Sequence, residues 1–327
     1  DNFRVIYAMR ISILALDGRF DTGLSVTLDA LAIANRFAQR MNKAQLFEVS
    51  IVGMRKRVTT GQGFIIPTED AAASPQPDWV IVPALTTSTP DVLIPALERK
   101  DVKKAVRQLL QWHERGAHIA GSCIGSFLLA ETGLLDGHEA TTTWWLAPTF
   151  RQRYPNVSLD ESRMLVSSGR LVTTGAAMGH LDLALWLIRK ASPDLADVVS
   201  RYLLADIRSS QASYIIPNHL AQADPLIVRF EQWSREHLKQ GFSLQLAASA
   251  LATSARTLQR RCQTVLGKSP LDYFQDLRVE RARSLVQGGV DLEEIAEEVG
   301  YADAATLRSL LRQRLGRGVR DLRATLR

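Results

Sequence analysis

The sequence is poor in cysteine and has no long apolar run. Its 327 residues include only two cysteines, Cys123 and Cys262, both in apolar surroundings. A disulfide framework needs more thiols at regular spacing, so this usage favours a reducing compartment, and we expect a cytoplasmic protein. The sequence shows no apolar stretch of about 18 residues and no charged-then-apolar leader. We therefore expect neither a membrane span nor a signal peptide.

Apolar residues are abundant, and positive charge is concentrated towards the end of the chain. With 46% hydrophobic residues the chain can bury a large core, and its length favours two domains. Residues 225–327 contain 17 Lys and Arg against 12 Asp and Glu, an excess of five out of a net charge of +6. A basic segment is typical of proteins that bind phosphate, although charge alone is a weak criterion.

Strand and helix patterns alternate in the first part of the chain. Runs rich in β-branched residues predict strands at Ile11–Leu16, Phe47–Val52, Trp79–Val82 and Ile119–Gly121. Helical periodicity predicts helices at Leu24–Met41, Val102–Arg115 and Ile124–Glu131. The alternation predicts an α/β doubly wound sandwich, in which helices cover both faces of a parallel sheet and binding sites lie at the carboxyl ends of strands.

We expect three regions along the chain. Residues 1–192 form the α/β domain, residues 193–223 a helical linker, and residues 224–327 a basic all-α domain. The linker contains a predicted helix at Pro193–Arg208 and a breaker-rich stretch at Pro217–Pro225, which is typical of a boundary between domains.

Two similar helix-turn-helix patterns lie in tandem in the basic region. In the first, Ser243 is the predicted N-cap of one helix and Gly267 ends the next. In the second, Asp291 is the N-cap, Gly300 breaks the first helix and Gly316 ends the second. Two short helices joined by a tight turn are typical of DNA-binding proteins, so the sequence predicts an all-α domain with two helix-turn-helix motifs.

A long helix at Pro270–Gln287 is predicted to connect the two motifs. Roughly 18 residues at about 1.5 Å each give a rod of about 27 Å, which would hold two recognition helices near one DNA turn apart. In the first recognition helix, Arg256, Gln259 and Arg260 lie opposite the apolar face. Arginine pairs with guanine and glutamine with adenine through two hydrogen bonds each, so these three side chains are candidate base contacts.

A cysteine marks the end of the fourth predicted strand. Cys123 lies at a sharp strand-to-helix turn between Gly121 and Gly125, which is the nucleophile-elbow pattern with Cys in place of Ser. A thiol at a helix N-terminus has its anionic form favoured, so it is a candidate reactive group. A small buried residue that lines a pocket is the more common role of a single cysteine.

These segments resemble two known families. Gly121–Trp144 resembles the core of the class I glutamine amidotransferase-like (ThiJ/PfpI) superfamily, and Thr173–Leu185 is similar to that group's later strand and helix. Gly267–Tyr273 and Gly300–Asp303 match the two signatures of the AraC family. Over nearly the whole chain, the sequence resembles regulators that fuse an amidotransferase-like sensor to an AraC-type DNA-binding region.

The resemblance implies a pocket without a catalytic relay. Enzymes of the superfamily pair the elbow cysteine with a histidine at the position of Thr143, and the acidic partner of some members would align near Gly23, with Asp21 out of register. His138 lies an odd number of strand residues before Thr143 and points to the other face. His180 opens a later helix and is more typical of a structural residue.

We therefore expect no catalytic residue, cofactor or metal, and interpret the pocket as a receptor. Its candidate walls are Cys123, Ile124, Thr143, Trp144 and the loop Asp17–Gly23. By the resemblance, the effector is a small nitrogenous metabolite such as an amino acid or a quaternary amine. The π-face of Trp144 is suited to a cation, although core packing is favoured for at least one of the adjacent pair of tryptophans.

The resemblance also implies the partners and the second set of DNA contacts. The positions that match the family's base-contacting residues are Ala304, Ala305, Arg308 and Ser309, with Arg312 on phosphate. Alanines contact thymine methyl groups with little discrimination, so the first motif is expected to dominate sequence choice. The implied partners are double-stranded promoter DNA, a small effector, RNA polymerase and a second copy of the chain, with no membrane.

Two alternatives stay open. One is a Cys-dependent amidase or amidotransferase-like enzyme with a DNA-binding extension. The other is a nonspecific architectural DNA binder, which would show a steep dependence on salt and no preferred sequence.

Overall fold

A computed structural model describes residues 8–87, 89–205, 208, 210–217, 220, 224–315 and 318–324. The chain divides into two compact units. The first comprises Asp1–Leu146 and Tyr154–Gln211, and the second comprises Ala147–Arg153 and Ala212–Arg327. Within the described part of the chain, no helix combines the length and the apolar character that crossing a bilayer requires.

A seven-stranded sheet forms the centre of the first unit. In chain order the strands of this unit are β1 (Met9–Ala15), β2 (Phe47–Gly53), β3 (Arg57–Thr59), β4 (Ile65–Pro67), β5 (Glu69–Asp70), β6 (Trp79–Val82), β7 (His118–Ser122), β8 (Glu139–Ala140), β9 (Ser158–Leu159), β10 (Leu165–Ser168) and β11 (Leu171–Thr174). The order in the main sheet is β10-β11-β7-β6-β1-β2-β5. All its neighbours are parallel except β10 and β11, which pair antiparallel. The predicted parallel sheet is therefore a mixed one.

Helices pack on this sheet and confirm the predicted α/β sandwich. The helices up to residue 202 are α1 (Asp21–Arg40), α2 (Pro90–Leu97), α3 (Lys100–Glu114), α4 (Gly125–Ala130), α5 (Ala147–Arg153, in the second unit), α6 (Gly179–Ala191) and α7 (Pro193–Tyr202). Helices α1, α6 and α7 pack together over a core that includes Ile11 and Ile13 of β1, while α3 and α4 pack against β7. Burial of these apolar side chains is the main stabilising contribution to the unit.

The predicted helix at Pro193–Arg208 is too long. Helix α7 ends at Tyr202, and Leu204 adopts a left-handed conformation with φ of +51°. A residue in the left-handed region cannot continue a right-handed helix. The apolar periodicity of the sequence gives no sign of this change in backbone conformation, so it predicts too long a helix.

The second unit is helical. Its helices from residue 225 onward are α8 (Pro225–Glu236), α9 (Leu244–Ala250), α10 (Ala255–Leu266), α11 (Pro270–Gln287), α12 (Leu292–Glu298), α13 (Ala304–Leu315) and α14 (Val319–Ala324). The predicted connecting helix matches α11 at both ends. The Ser243 hydroxyl accepts a hydrogen bond from the Leu246 N–H, and the Asp291 carboxylate accepts one from the Glu293 N–H. These N-caps confirm where both helix-turn-helix motifs begin, while the predicted end at Gly316 lies outside the described residues.

Candidate functional sites

The outer face of α10 presents the side chains expected to contact bases. Arg256, Gln259 and Arg260 are exposed, whereas Leu258 and Cys262 on the opposite face are fully buried. The helix starts at Ser254, whose hydroxyl accepts a hydrogen bond from the Thr257 N–H at 3.0 Å. Two guanidinium groups and an amide therefore project from one rigid helix, as direct contact with base edges requires.

A fourth polar side chain of α10 has a different role. The Arg261 guanidinium forms a salt bridge with Asp224, whose residue is only 2% exposed. The Asp224 carboxylate also caps α8 by accepting from the N–H groups of Leu226 and Ile227. This pair was not predicted from the sequence, although an Asp before Pro225 is the usual signal for an N-cap. Arg261 thus holds α10 against the start of α8.

Helix α13 corrects one of the predicted DNA contacts. Ala305, Arg308, Ser309 and Arg312 are exposed. Ala304 is fully buried, and its N–H donates to the Glu293 carboxylate at 3.2 Å. The prediction for Ala304 was wrong because its position lies on the same helix face as Leu307 and Leu311, which are also buried.

Further charges of the second unit pair with one another. Arg314 donates to both Asp272 and Asp276 at 3.1 Å, which ties α13 to α11. Of the acidic residues on α12, Glu297 pairs with Lys239 at 2.7 Å, and Glu298 pairs with Arg281 at 2.5 Å. These side chains neutralise each other, whereas Arg256 and Arg260 of α10 and Arg308 and Arg312 of α13 are exposed and suited to contact DNA.

Cys123 has the left-handed backbone of an elbow and a buried thiol. Its φ is +54°, and its N–H donates to the Thr174 carbonyl at 3.0 Å. The residue is 3% exposed, and burial raises the pKa of the thiol to about 12, although the Ile124 N–H and the Thr143 hydroxyl oppose that rise. The thiol is therefore neutral at pH 7, and burial outweighs the expected effect of the helix dipole.

Two of the other predicted wall residues, Ile124 and Thr143, lie beside Cys123 at the end of β7. Ile124 and Thr143 are buried, with the Thr143 hydroxyl beside the cysteine thiol. Trp144 begins a short 3-10 helix and is half-buried, with its ring edge-on to that of Trp145 at 5.5 Å. The predicted loop Asp17–Gly23 follows β1, which is separated from β7 by one strand, β6, but from Asp21 onward its residues belong to α1.

His180 is occupied by structural hydrogen bonds. Its Nδ1–H donates to the Ala177 carbonyl at 2.7 Å, and its Nε2 accepts from the Ala84 N–H at 3.2 Å. Burial lowers its pKa to about 4, so the ring is neutral. With both ring nitrogens engaged, His180 offers no free base to the cysteine. Among the described residues, no group of three or more His, Cys, Asp or Glu side chains is placed to hold a metal ion.

Comparisons with known proteins match both the helix-turn-helix region and the α/β fold. The family model described as "Helix-turn-helix domain" matches residues 247–325. The HTH-type transcriptional regulator GbdR of Pseudomonas aeruginosa is 24% identical over 96% of this chain and 83% of its own length. A crystal structure of an AraC family transcriptional regulator from Pseudomonas putida is 18% identical with a TM-score of 0.50, and covers 60% of this chain and 99% of its own. A ThiJ/PfpI family protein from Pseudomonas syringae is 20% identical with a TM-score of 0.50, and covers 66% and 84% respectively.

These findings define the class of the protein. It is a DNA-binding transcriptional regulator of the helix-turn-helix type, with a ThiJ-like α/β domain before the DNA-binding region. The match to the helix-turn-helix model lies within the second unit.

Proposed function

We propose that this regulator selects its DNA sites mainly through α10. The observation that carries the proposal is the division of that helix into a buried face, with Leu258 and Cys262, and an exposed face with three hydrogen-bonding side chains. The exposed face of α13 carries Arg308, Ala305 and Ser309. Alanine and serine discriminate less between bases than the arginine and glutamine side chains of α10 do. Arg312 is assigned to phosphate.

We also propose that the first unit binds a small effector rather than catalysing a reaction on it. A neutral, buried Cys123 next to Thr143 lacks the base that activates a nucleophile. Cys123, Ile124, Thr143 and Trp144 are the proposed walls of the receptor, and a small nitrogenous metabolite such as an amino acid or a quaternary amine is the proposed effector. The effector acts by binding one arrangement of a homodimer more tightly than another, which shifts the population that engages promoter DNA and RNA polymerase. We propose that the protein acts in the cytoplasm, where promoter DNA and RNA polymerase are found.

The DNA-binding proposal is tested by selecting bound fragments from a genomic DNA pool and footprinting the selected fragments at physiological salt. Protection of two major-groove segments about one turn apart is the expected result. Equal recovery of all fragments would instead indicate a nonspecific architectural binder.

A pair of variants tests the proposal that Arg260 contacts a base. Arg260→Ala should weaken binding to the selected site by about 1–3 kcal/mol and relax one base position. Arg229→Ala is the matched control, because it removes the same exposed charge from α8 instead of α10. If both variants lose the same affinity at every sequence, Arg260 contributes only charge.

One structural observation favours an enzymatic role: Cys123 has the left-handed backbone that is typical of a nucleophile elbow. Cys123→Ser separates the two proposals. A receptor keeps its DNA response with at most a change in effector affinity, whereas an amidase or amidotransferase-like enzyme loses turnover.

A further inference from the structure

The loop after β1 contains a buried cation that the sequence analysis did not single out. Arg19 is 1% exposed, and none of its three guanidinium nitrogens has a hydrogen-bond partner among the described residues. Burial lowers its pKa to about 10, against the opposing effect of Asp21, so the group stays positively charged at neutral pH. An unpaired buried charge is strongly unfavourable unless something compensates it.

The nearest acid does not supply that compensation by direct contact. The Asp21 carboxylate accepts a hydrogen bond from the Gln62 N–H at 3.1 Å, and no salt bridge joins Asp21 to Arg19 among the described residues. His180, the ring on which Arg19 has an electrostatic effect, is itself neutral and fully bonded to backbone groups. The three guanidinium nitrogens, which carry five N–H donors, are therefore buried with their hydrogen-bonding capacity unsatisfied among the described residues.

Arg19 also lies where a sheet of this topology binds ligands. From β1 the chain moves outward to β2 and β5, then returns to β6 on the other side of β1. The carboxyl ends of β1 and β6 thus border the crevice at the point where the strand order reverses. Arg19 forms isolated bridges with Leu85 after β6 and with Thr60 after β3, so its backbone is fixed in this crevice.

The start of α1 strengthens the attraction for an anion. This 20-residue helix begins at Asp21, two residues after Arg19, and no side chain caps it within the described structure. The N-terminus of a helix carries a partial positive charge and free N–H groups. Asp21 lies in this first turn, but its carboxylate accepts from the Gln62 N–H, so the uncapped helix start and the buried guanidinium group form a candidate site for a further negative charge.

We propose that Arg19 binds the carboxylate of the effector in the crevice between β1 and β6. A planar guanidinium group pairs with a carboxylate through two parallel hydrogen bonds, and in a buried site such a pair also neutralises the charge. The proposal rests on the effector-binding role of the first unit and narrows the effector to small acids, such as an amino acid or a betaine with a free carboxylate.

The first test needs no effector. In the ligand-free full-length chain, Arg19→Met replaces an unpaired buried charge with an apolar side chain, so the midpoint of thermal unfolding should rise by at least about 2 °C. Arg36→Gln is the control for loss of one positive charge, because Arg36 is exposed on α1, and it should leave the midpoint unchanged. A midpoint that is unchanged or lower in Arg19→Met would overturn the proposal, since Arg19 would then be a structural residue.

The second test uses matched pairs of probes in isothermal titration calorimetry. Each amino acid is compared with its carboxamide, and trimethylglycine with choline, which lacks the carboxylate. Acids that bind the wild-type chain should bind Arg19→Met on the order of 10²-fold more weakly. They should bind Arg19→Lys with an intermediate loss, because lysine keeps the charge but not the paired hydrogen bonds.

The outcomes separate this proposal from the proposed function. If an acid and its carboxamide bind equally well, the role of Arg19 is overturned while effector binding stands. If inorganic phosphate competes and no carboxylate binds, the site takes an anion of another class and the carboxylate proposal fails. If no probe binds the wild-type chain, the proposed effector class is overturned, and the thermal test still decides whether Arg19 is an unpaired ligand-binding charge.

Discussion

Substitution of His180 tests the inference that this buried imidazole is neutral and held by two structural hydrogen bonds. Burial lowers the pKa of this imidazole from an ordinary 6.5 to about 4. Because the unfolded chain takes up the proton more readily than the folded one, stability is fully present above pH 6.5 and is lost as the pH falls towards 4. One pKa unit corresponds to about 1.4 kcal/mol, so His180 alone should lower the free energy of unfolding by about 2 kcal/mol between pH 7 and pH 5.

The variant is His180→Gln, which stays neutral over this pH range. At pH 7 it should be less stable than the wild type by about 1–3 kcal/mol, since the hydrogen bonds with Ala84 and Ala177 are lost or distorted. At pH 5 the difference between the two proteins should shrink by about 2 kcal/mol, because only the wild type has a histidine to protonate.

Urea unfolding followed by tryptophan fluorescence measures this difference, since five of the six tryptophans belong to the first unit. His138→Gln, at a half-buried histidine of the same unit, controls for the loss of one imidazole. A wild-type-minus-variant difference that is the same at pH 5 and pH 7 would refute the reasoning.

Three further predictions concern single residues. At pH 7.5 the thiol of Cys123 should react with iodoacetamide only after unfolding, because burial raises its pKa to about 12, and rapid labelling of the native chain would contradict this. Gly289→Ala should lower the free energy of unfolding by about 1 kcal/mol because φ is +81° there, whereas Gly288→Ala at φ of −71° should be nearly neutral, as urea titrations can show. Arg261→Ala should reduce thermal stability, since it leaves the buried Asp224 carboxylate unpaired, while Arg260→Ala should reduce DNA affinity alone; equal melting of the two variants would remove the distinction.

The helices of the second unit were largely predictable because their signals are local. Pro270 is the first residue of α11 and Gly288 follows its last residue, and Ser243 and Asp291 mark the starts of the two motifs. The same holds for β6, where four apolar residues predict a fully buried strand. Local signals fail where pairing depends on distant partners. Strands β3 and β4 have three residues each and exist only as a pair, and β10 runs antiparallel because a tight turn joins it to β11.

The candidate sites show the same division. Helical periodicity was sufficient to place Arg256, Gln259 and Arg260 on an exposed face, since a polar stripe opposite an apolar one must face outward. It was insufficient at Ala304, where alanine is small enough to suit either face and only the packed turn shows which one it occupies. For Arg19, the sequence predicts an exposed side chain, because an arginine in a loop is ordinarily solvated, whereas the structure buries it.

The strand ends of the first unit carry the elbow-like backbone of Cys123 and, in the proposed role of Arg19, a fixed positive charge for a ligand. Raising the pKa of Cys123 to about 12 removes its thiolate, whereas lowering that of Arg19 to about 10 leaves its cation intact at neutral pH. Burial therefore disfavours the thiolate at one strand end and leaves the guanidinium group charged at the other, because the ordinary pKa values of the two groups already favour the neutral thiol and the charged guanidinium at neutral pH. A regulator needs this combination, since an effector that is bound but not consumed can maintain a population shift for as long as its concentration lasts.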